Sequence, residues 1–137
     1  MQLNFDAERA KGPKLDWAER DLWKQGERVS FEVSNAELLE VVKDGDTRLK
    51  ARLLLKVLTG ENAGKHTTKD VWDPIANKGS QGYLKAMLDT MGVSKEKLNG
   101  GNVPLALAEA VGAKFTAVCE KANGGKWVNW NELQPHK

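Results

Sequence analysis

Residues 27–58 read ERVSFEVSNAELLEVVKDGDTRLKARLLLKVL, and the fold turns on this stretch. Val29, Phe31 and Val33 alternate with Arg28, Ser30 and Glu32, the period of two expected of a half-buried strand. Ala36 to Val42 carries that strand on to Lys43-Asp44-Gly45-Asp46, where the Asp-Gly pair is a strong tight-hairpin signal. A second strand follows from Thr47 to Leu58, with Leu49, Ala51, Leu53, Leu55 and Val57 alternating against Arg48, Lys50, Arg52, Leu54 and Lys56. If Asp44-Gly45 forms a two-residue loop, the odd apolar residues of the second strand face the even residues Ala36 and Leu38 of the first. Val29, Phe31 and Val33 are odd, so the inward face must change parity near Ser34-Asn35, through a bulge or a sharp bend. A three-residue turn removes that need.

Working outward, Thr59 to Gly64 is a turn, and Lys65 to Trp72 reads as a third strand that Asp73-Pro74 ends. Ser80 is placed to cap a helix in which Tyr83, Leu84, Met87, Leu88 and Met91 form one apolar stripe and Gly92 the stop. Gly100-Gly101 leads to a second short helix, Pro104 to Val111. Ala113 to Lys121 alternates again, with Phe115, Ala117 and Cys119 on one side. Asn123-Gly124-Gly125 marks another hairpin, and Lys126 to Leu133 is the fifth strand. A two-residue loop there puts Val128 and Trp130 in the core and Trp127 outside; a three-residue loop reverses this. Upstream, Leu15, Ala18 and Leu22, with Asp16 as cap and Gly26 as stop, predict a short helix packed on the domain.

Three strands, a helical insertion at about 80–111 and two further strands is the order of the oligonucleotide/oligosaccharide-binding (OB) barrel. The expectation is therefore a mainly β protein: a five-stranded antiparallel OB-fold barrel over residues 26–137, with an N-terminal extension at 1–25. A long bent first strand suits such a barrel, because it serves both halves of the sheet. The 137 residues are 40% apolar and 29% charged, a composition that supports one core without disulfide or metal. The apolar runs are too short for a membrane span, the N-terminus lacks a secretory signal pattern, and the single Cys119 fits a cytoplasmic protein.

The net charge of +2 conceals an uneven distribution. Residues 1–46 hold 7 Lys/Arg and 11 Asp/Glu, residues 47–91 hold 8 and 4, and residues 92–137 hold 6 and 4. The basic middle can face a polyanion, although a solvated, lysine-protected strand is the commoner reason for such a bias.

Catalysis has little support. His66 and His136 are the only imidazoles, with no nucleophile at a motif spacing, and Cys119 reads as a buried small hydrophobe. Asp70 and Asp73 flank Trp72 and could in principle hold Mg²⁺, but a strand end and turn is the commoner reading. The sequence thus reads as a non-enzyme without a cofactor. Binding has more support. Arg48, Lys50, Arg52 and Lys56 share the side of the second strand opposite the core; Lys65, His66, Lys69 and Trp72 lie on the adjacent third strand; Lys126 and Trp127 follow the last turn. A cationic groove with aromatic platforms holds single-stranded nucleic acid, each stacked base contributing about 1–3 kcal/mol. A Trp in a small domain is more often structural than a platform, and Trp72 and Trp127 are the best candidates for the exception. Contact with about six phosphates predicts a log–log salt slope of roughly −4.

Several stretches carry a likeness to a known family: Gly26-Glu27-Arg28-Val29-Ser30-Phe31-Glu32-Val33; Leu53-Leu55-Val57 running into Gly60-Glu61-Asn62-Ala63-Gly64-Lys65; Val71-Trp72-Asp73-Pro74; Leu84-Lys85-Ala86-Met87-Leu88 ending at Met91-Gly92; and Gly112-Ala113-Lys114-Phe115-Thr116-Ala117-Val118 with Asn123-Gly124-Gly125-Lys126. From about Gly26 to Pro135 the chain resembles the small phage-encoded single-stranded DNA-binding proteins with an OB barrel. The resemblance implies coating of transient single strands in phage replication or recombination, without catalysis, in the cytoplasm of the infected bacterium. Single-stranded DNA is then the partner, RNA a polyanion of the same chemistry, and a second copy of the chain a further one; a membrane is not. The ending Leu133-Gln134-Pro135-His136-Lys137 has no acidic tail, so recruitment of replication enzymes through one is not expected. The alternative is a protein-interaction or adaptor module on the same scaffold, with no nucleic-acid affinity and an apolar patch around Trp17 and Trp23.

Overall fold

Asp44 and Gly45 have φ of 52° and 81°, the paired left-handed conformation of a tight two-residue hairpin turn. The strands they join pair as Lys43 with Asp46, Leu38 with Ala51 and Ala36 with Leu53. Beyond Asn35 and Leu54 the register shifts, so that Val33 faces Leu55 and Phe31 faces Val57. Ser34 is the extra residue. The parity change is thus made by a bulge, which turns Val29, Phe31 and Val33 to the same side as Ala36 and Leu38.

The structure, a computed structural model, describes residues 15–122 and 127–135. Its strands are β1 (Arg28–Lys43), β2 (Asp46–Val57), β3 (His66–Trp72), β4 (Lys114–Ala122) and β5 (Trp127–Pro135). Between β3 and β4 lie the helices α1 (Lys78–Thr90), α2 (Lys95–Asn99) and α3 (Val103–Ala110). The strands form one antiparallel sheet in the order β3-β2-β1-β4-β5. The sheet is open: no ladder joins β3 to β5 among the described residues. The Lys69 side chain spans the gap, its Nζ donating to the Trp130 carbonyl at 2.9 Å.

The core lies on the concave side of β1 and β2, where Val29, Phe31, Val33, Leu53, Leu55 and Val57 are all but inaccessible to solvent. Phe31 is its centre. Its backbone faces Val57 on one side and Phe115 on the other, and its ring packs on Phe115 at 5.4 Å and edge-on to Trp130 at 4.7 Å. α1 buries Leu84, Met87 and Leu88 and packs against both β3 and β5, closing the side on which the sheet is open. The β4–β5 register, Cys119 with Trp130 and Lys121 with Val128, puts Trp130 in the core at 2% exposure and Val128 against it.

Three local expectations are corrected. Asn77, not Ser80, caps α1, its side chain accepting from the Ser80 N–H at 3.0 Å, so the helix starts earlier and Tyr83 lies exposed beside the buried stripe. α2 was hidden by its length; Ser94 caps it by accepting from the Lys97 N–H. Among the described residues before β1, the helical structure is a 3₁₀ turn at Arg20–Leu22. Asp16 is not a helix cap there, because its carbonyl accepts from the His66 N–H at 2.7 Å while the Ala18 N–H donates to the His66 carbonyl at 2.8 Å. Trp17 thereby forms a parallel bridge on the edge of β3. So short a helix has little stability of its own, and an unpaired strand edge outcompetes it. Residues 1–14 lie outside the described residues.

Candidate nucleic-acid interface

Cross-strand partners share a face, so the registers define which side chains meet. On the convex side, opposite the core, β2 presents Arg48, Lys50, Arg52, Leu54 and Lys56. β3 places Trp72 opposite Lys50, Asp70 opposite Arg52, Thr68 opposite Leu54 and His66 opposite Lys56. β1 adds Val41, Leu39, Glu37 and Asn35, and Glu32 before the bulge. Arg48, Lys50, Arg52, Lys56, His66 and Trp72 are therefore brought together, as the sequence suggested.

Lys69 is not. It pairs with Leu53 on the core side, where its ammonium bonds the Trp130 carbonyl and lies 5.3 Å from the Tyr83 ring. Lys65 sits opposite Val57 at the end of the turn, its carbonyl accepting from the Val57 N–H, and so has the parity of Lys69. The period of two that separates the faces of β2 also separates Lys65 and Lys69 from His66 and Trp72. Lys126 lies outside the described residues, as does the side chain of Trp127, whose backbone pairs with Ala122.

The face is mixed rather than cationic, because carboxylates hold its cations. Asp70 receives Arg52 through two 2.6 Å hydrogen bonds and Lys50 at 3.4 Å. The side chains of Lys50 and Arg52 are only 9% and 14% exposed. Asp73, the residue after β3, binds Arg48, whose side chain is 50% exposed. Lys56 is exposed as well. Sequence reasoning missed this neutralisation, because Asp70 and Asp73 flanking Trp72 read as the end of a strand; the signal available was that Asp70 has the parity of Arg52.

Trp72 stands at the edge of this cluster, 38% exposed. Two cations approach its ring: the Arg48 Cζ lies 4.7 Å and the Lys50 Nζ 4.9 Å from the centroid, within cation–π range. Next to it runs a strip of half-buried aliphatic side chains, Leu39, Val41 and Leu54. His66, half-buried at the far end, has a buried Nδ1 without a hydrogen-bond partner in the structure.

The remaining tryptophans have other roles. Trp23 is 3% exposed and meets Trp130 edge-on at 4.7 Å, so neither ring is a platform and Trp23 is not part of an exposed patch. Trp17 is half-buried on the β3 edge. The segment is held down by Asn62, fully buried in the β2–β3 turn, whose side chain both accepts from the Glu19 N–H and donates to the Glu19 carbonyl. Cys119 is buried, and burial pushes its thiol pKa up, away from the reactive thiolate. Among the described residues no three His, Cys, Asp or Glu converge as metal ligands, and no helix is long and apolar enough to cross a membrane.

Burial disfavours the charge on Asp70, but the Arg52 hydrogen bonds and the charges of Arg52 and Lys50 more than offset it, holding this carboxyl below the usual carboxylate range. A carboxyl depressed in the folded state contributes stability that is present above its unfolded pKa, about 4, and is lost as pH falls through the folded value. Urea midpoints should therefore fall as pH is lowered below about 4, and Asp70→Asn should be less stable than wild type at pH 7 but show a flatter acid limb. A parallel acid limb in the variant would remove Asp70 from the account.

No protein-family model matches the chain, and no curated protein sequence matches it.

Proposed function

We propose that the convex face of β1, β2 and β3 binds single-stranded nucleic acid, with Trp72 as the base platform, Arg48 and Lys50 as the cations at its ring and Lys56 as a cation at the far end of the face. The observation that carries this reading is the exposed Trp72 indole with two cations at its ring, on strands 2 and 3 of a sheet ordered 3-2-1-4-5. That order, with helices between the third and fourth strands, is the order of an OB barrel, whose strand 2–3 face takes oligonucleotides. The approach of the β3 and β5 edges at Lys69 and Trp130 supports the barrel reading. Stacking is sequence-tolerant because every base has a π face. With the phage likeness of the sequence, the role is coating of single-stranded DNA during replication or recombination, without catalysis.

Internal neutralisation changes the expected strength. Arg48, Lys56 and, at the hairpin end, Lys43 opposite Asp46 are exposed cations of the face, so two or three phosphate contacts, at roughly 0.7 each, give a salt slope between about −1 and −2 instead of −4. The test is a titration of intrinsic Trp fluorescence with oligo(dT) and with duplex of equal length, at two salt concentrations. Quenching by the single strand alone, with a shallow negative slope, is expected. No response to oligo(dT), or a response equal to that of the duplex, contradicts the reading.

A second reading, protein docking on the same face, has its own support in the aliphatic strip Leu39, Val41 and Leu54 and in the near balance of charges. It predicts no oligo(dT) response in the same titration.

A further inference from the structure

The Arg48 guanidinium is held at two points. Nη2 donates to Asp73 Oδ2 at 2.5 Å and Nε to Oδ1 at 3.4 Å, a forked contact, while Cζ stays 4.7 Å from the Trp72 ring centroid. The carboxylate in this pair is the fixed member. Asp73 has a φ of 51°, its N–H donates to the Leu49 carbonyl at 2.8 Å, and the next residue, Pro74, is fully buried. Arg48 is the movable member, a long side chain half exposed on the face. Phosphate fills the same guanidinium fork as carboxylate.

We propose that Asp73 is an internal stand-in for a ligand phosphate. In the free protein it latches Arg48 beside the Trp72 ring; a single strand engages by exchanging one of its phosphates for this carboxylate, and a base then takes the indole surface from which the guanidinium withdraws. The inference rests on the reading of this face as a single-strand site and adds its control: Asp73 is a built-in competitor that lowers affinity and lets the strand be released. The second pair cannot act this way, because Asp70 is gripped by both Arg52 and Lys50 and those side chains are largely buried.

The expected gain on removing the competitor is modest, at most about fivefold in affinity, because solvent screens an exposed ion pair. Asp73→Asn is the informative variant, because Asn tolerates the left-handed backbone as Asp does. Asp89→Asn, which removes an exposed carboxylate from α1, controls for net charge. Oligo(dT) titrations of both, and of Arg48→Ala with and without Asp73→Asn, should be run across a salt series, with thermal melts to establish that each variant is folded.

Asp73→Asn should bind about two- to fivefold tighter, with a salt slope steeper by up to about 0.7, because a phosphate at Arg48 no longer frees a carboxylate that must recruit its own cation. Asp89→Asn should change neither quantity, and the gain should vanish in the Arg48→Ala background. An equal gain from Asp89→Asn, or a gain that survives Arg48→Ala, overturns the latch. If wild type binds oligo(dT) and Asp73→Asn does not bind tighter, the latch falls and the site stands; if neither protein binds, both fall.

Discussion

Phe31→Ala should destabilise the domain by about 3–5 kcal/mol, the range for removing a buried ring from a core that cannot collapse around the cavity. The cost is set by position. Phe31 pairs with β2 on one side and β4 on the other, and its ring touches Phe115 and Trp130, so its loss opens the seam between the two halves of the sheet. With total stabilities of about 5–15 kcal/mol, the variant should lose a large share of its folded-state margin. Urea unfolding at pH 7 is the measurement. Leu105→Ala, at an exposed position on α3, should stay within about 0.5 kcal/mol of wild type and serves as the comparison. A Phe31→Ala midpoint indistinguishable from that of Leu105→Ala would mean that the sheet is not organised around this ring.

Trp72→Ala should weaken oligo(dT) binding by about 1–3 kcal/mol, roughly 5- to 150-fold, while changing the unfolding midpoint little. The separation of the two effects matters. Trp72 is the exposed ring on the convex face, whereas Trp23 and Trp130 are buried on the other side of the sheet, so their truncation should be read in stability first. Trp72→Phe should recover part of the lost affinity, because a smaller ring still offers a stacking surface. A Trp72→Ala protein that binds as wild type does would place the ligand elsewhere.

The backbone was more legible than the surface. A bulge or bend near Ser34-Asn35 follows from parity once Asp44-Gly45 is a two-residue loop; the sequence leaves a three-residue turn open, and the structure closes that choice with the left-handed φ of both residues. The same logic on β4 and β5 offers two registers, and the observed pairing of Cys119 with Trp130 is the one that puts Trp130 inside. On β3 the same parity separates Lys65 and Lys69 from His66 and Trp72, so the four residues the sequence groups as one cationic surface face opposite sides. The Asp70 and Asp73 ion pairs were hidden for a different reason. Charge counts by segment see eight cations against four carboxylates in residues 47–91, but not that two of those carboxylates lie among the cations. The apolar spacing of the N-terminal segment fits a helix, but the edge of β3 that decides its conformation is about fifty residues away in sequence.

The most direct test of the account is an NMR titration of the indole N–H resonances with oligo(dT), the Trp72 signal being identified by its loss in Trp72→Phe. A single strand lying on the convex face shifts or broadens the Trp72 resonance and leaves those of Trp23 and Trp130 in place. An unperturbed Trp72 at saturating oligo(dT), or changes confined to Trp23 and Trp130, would contradict it.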